Sequence, residues 1–427
     1  MTVFEYPRLD ERLYQGTLPN GLRVCMLPRP GFTKKLAYFV TDFGAIHRDF
    51  MLDGRRIQVP AGIAHFLEHK MFDLPGDRDV SAELAALGAV TNAFTSYDMT
   101  AYYISCTENF EAALRLLLEF VSTPYFTQES VQKEIGIIDQ EIGMYLDSPD
   151  SRVFEDLVQG LYENHPICVP ILGTCESIRR ITPELLYNCH RAFYTPANMM
   201  LCVVGDVDPD NVCAIAEEIL GKARLSAGEK LRNREESMTC TTAMRSARME
   251  VAMPMFNLGF KCEYPGSGEA AIRQEMIGDL AAEALFGESS ALYLKLYEEG
   301  IIDSSFGGGF ETIDGMAMLL CSGDSDEPET IREAMLAQAE IIVKEGIDED
   351  SFLRMKRSAL GRRIRGLDSF DSTCFRLCAY ALSDYDYFRF PSLYEQIEKR
   401  DIQEFLQRVV RPERCSLSVI YPQEEDL

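Results

Sequence analysis

The sequence predicts an α+β fold used twice, as two similar halves that each mix strands with amphipathic helices. Three observations carry this reading. The chain has 427 residues, more than one ordinary hydrophobic core accommodates. The order of strands and helices in the first ~200 residues recurs in the second, the mark of one duplicated unit. Between the halves lies "GKARLSAGEKLRNREES" (221–237), charged and poor in large apolar residues, which reads as a linker. The expected organisation is a first domain at 1–220, a linker at 221–240 and a second domain at 241–427.

In the first half, "LAYFVTDFGA" (36–45) reads as a strand. The stretch "GAVTNAFTSYDMTAYYISC" (88–106) predicts two strands about a turn at 96–98. "ENFEAALRLLLEFV" (108–121) is an amphipathic helix stopped by Pro124, and 127–146 is another with Thr127 as N-cap. "ITPELLYNCHRAFY" (181–194) places Thr182 at the N-cap and Pro183 in the first helical position. "NMMLCVVGDV" (198–207) is a mostly buried strand. In the second half, strands are expected at 256–264, 315–323 and 415–422. Helices are expected at 273–287, 289–300, 329–346, 348–366 and 401–410, two of them closed by Gly287 and Gly300 and one capped by Asp348.

The net charge of −26 and the pI near 4.6 exclude a nucleic-acid-binding face, because phosphate contacts need clustered Lys and Arg. Such acidity confers solubility and suits a cavity that attracts cationic peptides. The opening "MTVFEYPRLDERLYQGTLPNGLRV" has no basic region followed by an apolar stretch, so no signal peptide is expected. No window approaches ~20 apolar residues, so no membrane span is expected either. The 13 cysteines form no C-x-x-C pair and read as reduced, mostly buried thiols of a cytoplasmic protein. Cys189 beside His190 makes no thiol nucleophile, because adjacent residues on a helix do not face each other.

Chemistry concentrates in "AGIAHFLEHKMF" (61–72), which contains His65, Glu68 and His69 in the order H-x-x-E-H. Residues four apart share a helix face, about 6 Å from each other. Both imidazoles can therefore point at one ion, with the Glu68 carboxylate at the same mouth. A catalytic zinc takes three protein ligands and leaves a position for water, whose proton Glu68 is placed to accept. His47, His165 and His190 lie in contexts that read as structural. The helix at 127–146 offers Glu134 and Glu141, two turns apart on one face; one can bind the ion while the other orients a ligand. Spacing alone does not choose between them. All five histidines precede residue 191, so the second half has no such site. Aligning 126–142 with 347–364 sets Met355 opposite Glu134 and Arg362 opposite Glu141.

H-x-x-E-H is the signature of the inverzincins. With "GAVTNAFTSYDMTAYY", "EIGIIDQEI", "HPICVPILGTCESI" and "FYTPANMMLCVVGDV" following in order, the chain resembles the M16 family of pitrilysin, insulin-degrading enzyme and the mitochondrial processing peptidase. The resemblance implies two homologous α+β domains, each a mainly antiparallel sheet covered by helices. It implies one Zn2+ per chain held by His65, His69 and Glu141, with Glu68 as general base and Glu134 behind the ligands. It also implies that Asn92, Ala93 and Phe94 lie on an edge strand that takes the peptide substrate as an added strand. Many members carry an arginine and a tyrosine in the second half that contact substrate near zinc. Here Tyr297 and Asp303 stand at those places. The expectation is a zinc endopeptidase acting on peptides or unfolded segments. It would be paired with a paralogous M16 subunit that lacks the zinc motif, or alternatively with a second copy of itself. The rival expectation is a low-activity or non-catalytic peptide-binding or assembly subunit.

Overall fold

The computed structural model describes residues 1–423 except 77, 222–227 and 232–234, so much of the expected linker lies outside the described residues. Two sheets carry the fold. The first has seven strands in the order Thr2–Tyr6, Glu11–Thr17, Arg23–Pro28, Met199–Gly205, Lys35–Thr41, Thr100–Cys106 and Val90–Thr95. The second has five, in the order Met244–Met249, Cys415–Pro422, Met255–Cys262, Met316–Asp324 and Gly307–Ile313. From Arg23–Pro28 onward the first sheet is repeated strand for strand in the second. Each has one parallel pair followed by three antiparallel pairs that end on an edge strand. This shared topology is the duplication that the sequence predicts, in mainly antiparallel sheets.

Local signals place most helices. Thr127 accepts from the Ser130 N–H and completes a capping box at the head of Gln128–Leu146. Thr182 caps Pro183–Phe193, and Asp348 caps Glu349–Gly366. Less legible is the packing between the halves, because each lends a helix to the other's sheet. Pro149–Leu161 lies on the second sheet. Its Gly160 sits so close that an added Cβ would stand 2.2 Å from Ser416 Oγ, and Leu157 and Leu161 cover Gly259. Tyr162 follows and donates to the Ala317 carbonyl at 2.7 Å. In return, Phe370–Leu382 lies across Met199–Gly205 and Lys35–Thr41 of the first sheet. One continuous core therefore joins Leu27, Tyr38 and Val204 to Phe260, Leu319 and Leu377. Burial of this kind is non-directional and pays no regard to sequence distance.

Chain on either side of the undescribed segments is anchored to the two halves. Glu229–Lys230 pairs with Asp49–Leu52. Glu236 accepts from the N–H groups of Glu163 and Asn164 and from buried Lys261 Nζ, at 2.9, 3.0 and 2.9 Å.

Three histidines bond to backbone. His47 Nδ1 accepts from Gly44 N–H, and His165 Nε2 lies 2.9 Å from the Asp314 carbonyl oxygen. His190 Nε2 lies 3.2 Å from the Val121 carbonyl oxygen, and burial pulls its pKa down to about 4. An unfolded histidine titrates near 6.5. Between these values the unfolded chain binds more protons, so this contribution to stability is present above pH ~6.5 and is lost as pH falls toward 4. The whole difference is about 3 kcal/mol. Denaturant midpoints taken from pH 7 down to 4 are expected to fall less steeply for His190→Gln than for the parent.

Candidate metal centre

The H-x-x-E-H segment forms the helix Ile63–Lys70. Gly62 precedes it at φ 87°, a left-handed conformation that favours glycine. A Cβ there would stand 2.3 Å from the Leu172 carbonyl oxygen, so the helix starts against that strand-free turn only with glycine. The helix packs against both Gln128–Leu146 and the edge strand Val90–Thr95, which brings three separate stretches of sequence to one place.

His65 and His69 stand as neighbours, their ring centroids 4.6 Å apart. Both Nε2 atoms face Glu141, at 3.4 Å for His65 and 3.8 Å for His69. These separations lie at or beyond the limit of a hydrogen bond. They suit groups arranged about a point between them. One donor atom from each of His65, His69 and Glu141 lies within 4.8 Å of the others. Two imidazoles and a carboxylate form a donor set that fits zinc. The Glu141 side chain is 40% exposed while His65 is 9% exposed, so the cluster opens to solvent on the glutamate side.

Glu134, the other glutamate, does not face this point. Its Oε1 lies 3.1 Å from His69 Nδ1, and its Oε2 lies 3.3 Å from the Nζ of Lys70. The hydrogen bond to Glu134 raises the His69 pKa. Burial pushes the Glu134 carboxyl up, but its bonds to His69 and the Lys70 charge outweigh that and hold it below the usual range. The nearby His65 imidazole lowers the Glu141 pKa. His65 has no such support: its Nδ1 is buried with no hydrogen-bond partner among the described residues.

Glu68 is buried beside the two histidines, and its Oε2 accepts from Thr95 Oγ1 at 2.6 Å. Burial raises its pKa, opposed by the Thr95 bond and by the two imidazoles. Thr95 is the last residue of the edge strand, which among the described residues pairs only with Thr100–Cys106 and leaves its other side open. Asn92 Oδ1 accepts from Ala93 N–H on the exposed side, at 2.9 Å. The Phe94 ring turns toward Phe375 of the second half, 6.1 Å away. Sequence reasoning missed Thr95 and Lys70. They lie within the stretches 61–72 and 88–106, and a lysine directly after a metal-binding pattern on a buried helix was the available signal.

Elsewhere, Cys189 is fully buried, and burial raises its thiol pKa. The cysteines are free among the described residues. No helix among them is long and apolar enough to cross a membrane.

Comparison with known proteins matches the same stretches. Residues 58–175 match the description "Insulinase (Peptidase family M16)", and residues 180–359 match "Peptidase M16 inactive domain". The chain is 37% identical to the uncharacterized zinc protease YmfH of Bacillus subtilis (strain 168), over 98% of each chain. It is 24% identical to YmxG of the same organism, over 76% of this chain and 79% of that one. An M16-like protein from Alicyclobacillus acidocaldarius superposes with a TM-score of 0.92 at 33% identity, over 97% of this chain and 99% of that one. Pitrilysin superposes at 0.79 with 15% identity, over 99% of this chain and 46% of that one, a likeness of fold. With its doubled sheet, its H-x-x-E-H helix and these matches along its length, the chain belongs to peptidase family M16.

Proposed function

We propose that this chain is a zinc-dependent endopeptidase that hydrolyses peptides or unfolded segments. The convergence of His65, His69 and Glu141, with Glu68 beside them, carries the reading. The name zinc protease borne by its relatives supports it. His65, His69 and Glu141 would hold one Zn2+. A bound zinc supplies a Lewis acid for the scissile carbonyl and lowers the pKa of water to near neutral. Glu68 takes the proton from the attacking water and delivers it to the departing amine. Thr95 holds the Glu68 carboxylate by one oxygen and leaves the other for this transfer. Glu134 accepts from His69 Nδ1–H and so keeps Nε2 turned to the ion. The open side of Val90–Thr95 takes the substrate as an added strand, with Asn92 and Ala93 at its backbone and Phe94 anchoring the strand to the second half. A substrate bound in this way must be extended, which limits it to peptides and unfolded segments.

Metal analysis together with cleavage of a mixed peptide library tests the reading. His65→Ala and Glu141→Gln are each expected to lose zinc on gel filtration, and Glu134→Gln to retain it with affinity lowered about 10–100-fold. Loss of the ion from Glu134→Gln but not from Glu141→Gln would reverse the ligand assignment.

A second reading is a peptide-binding or assembly subunit of low turnover. Tyr297 is exposed and Asp303 caps the Ser305 N–H at 2.7 Å, where other members carry a substrate-contacting arginine and tyrosine. The missing pair argues for a partner that supplies it, an M16 paralogue without the zinc motif. Ile137 and Met144, exposed on the helix that carries Glu141, suit such an interface. Full cleavage rates by the chain alone, unchanged by the paralogue, would leave the heterodimer without support and return a monomer or homodimer. The free thiols support a cytoplasmic setting.

A further inference from the structure

We infer that Lys70 is a positioning residue for the metal centre: its ammonium fixes the Glu134 carboxylate, and through it the His69 imidazole. The inference rests on the zinc reading above and adds a member to its machinery. Lys70 ends the motif helix, yet its side chain is only 2% exposed. A buried ammonium is costly unless it is paired. It has two partners: Asp73, three residues on, and Glu134 Oε2 at 3.3 Å on the facing helix. The same carboxylate meets His69 Nδ1 with its other oxygen, at 3.1 Å. The order is therefore ammonium, carboxylate, imidazole, with the imidazole's remaining nitrogen aimed toward Glu141.

Glu134 can brace His69 only while its carboxylate stays in place, and the Lys70 ammonium against its far oxygen holds it there. The arrangement also accounts for an asymmetry: His69 is braced from behind and His65 Nδ1 is not, so orientation of the pair depends on the Lys70–Glu134 side. The contact with Asp73 offers a purely structural alternative, a pin at the helix end.

The test is zinc affinity of the full-length chain, measured by competition with a chromophoric chelator. Lys70→Met keeps the length and removes the charge, and is expected to weaken zinc binding about 10–100-fold. Lys70→Arg is expected to restore it to within about threefold, and Asp73→Asn to leave it within the same range. Lys70→Met combined with Glu134→Gln is expected to be no weaker than Glu134→Gln alone, because both act through one chain of contacts. Unchanged affinity in Lys70→Met, multiplication of the two effects, or a fall in Asp73→Asn as large as in Lys70→Met would each overturn the inference. Should Lys70→Met fail to fold, Lys70→Gln replaces it in the same comparisons. A parent chain that binds no zinc fails the metal reading itself, a result separate from any of these.

Discussion

Glu68→Gln is expected to keep zinc and lose turnover by about 10²–10⁴-fold, the usual contribution of a general acid–base. The substitution is nearly isosteric. Its amide oxygen can still accept from Thr95 Oγ1, so the anchor at 2.6 Å survives. The three donors proposed to hold zinc are untouched, since Glu68 is not among them. What disappears is a basic oxygen held against the cluster. The parent carboxylate also has its pKa raised by burial, which suits a group that must both take and return a proton. Metal content and the rate of cleavage of a peptide library, measured on the same preparation, check both halves of the expectation. A variant that retains zinc and cleaves at the parent rate would remove Glu68 from the mechanism. One that loses zinc would show that the carboxylate belongs to the ligand set.

The sequence discloses this centre because its parts obey helical spacing. His65 and His69 are four apart, Glu134 and Glu141 seven apart, and the second pair lies on a helix with a readable cap at Thr127. The choice between the two glutamates was a matter of tertiary approach, which no spacing encodes: Glu141 meets the Nε2 atoms, Glu134 the Nδ1 of His69. Thr95 reaches Glu68 across 27 residues of sequence, through strand pairing. The duplication was legible from element order, yet the strand Gly307–Ile313 was not, because its three leading glycines carry no apolar alternation. The exchanged helices Pro149–Leu161 and Phe370–Leu382 were the hardest to foresee. Their apolar faces are ordinary, and only the assembled sheets reveal which surface each one covers.

The second half answers the metal centre with a cation of its own, and removing it is expected to cost about 3 kcal/mol. Gly268–Phe286 occupies the place of the motif helix, after the corresponding strand and against the corresponding edge. It carries Glu275 and Asp279, four apart like His65 and His69. The facing helix Glu349–Gly366 supplies Arg363, whose Nη2 lies 2.7 Å from Glu275 and 3.0 Å from Asp279. The alignment sets Arg362, not Arg363, opposite Glu141. That residue turns outward to Glu283, because one step along a helix rotates a side chain by about 100°. Arg363 is buried and also meets the hydroxyls of Tyr380 and Tyr394. Arg363→Met would leave two carboxylates around an apolar chain. Breaking a buried pair from one side costs about 3–5 kcal/mol. The lower figure applies because the Asp279 side chain keeps 34% exposure and water screens it. Chemical denaturation should register the loss, and Glu275→Gln added to Arg363→Met should recover part of it by removing an unpaired charge. Zinc content should not change, since the first half holds its own donors. A variant as stable as the parent would mean that the guanidinium does no more than fill space, and that the Tyr380 hydroxyl satisfies Glu275 while water satisfies Asp279.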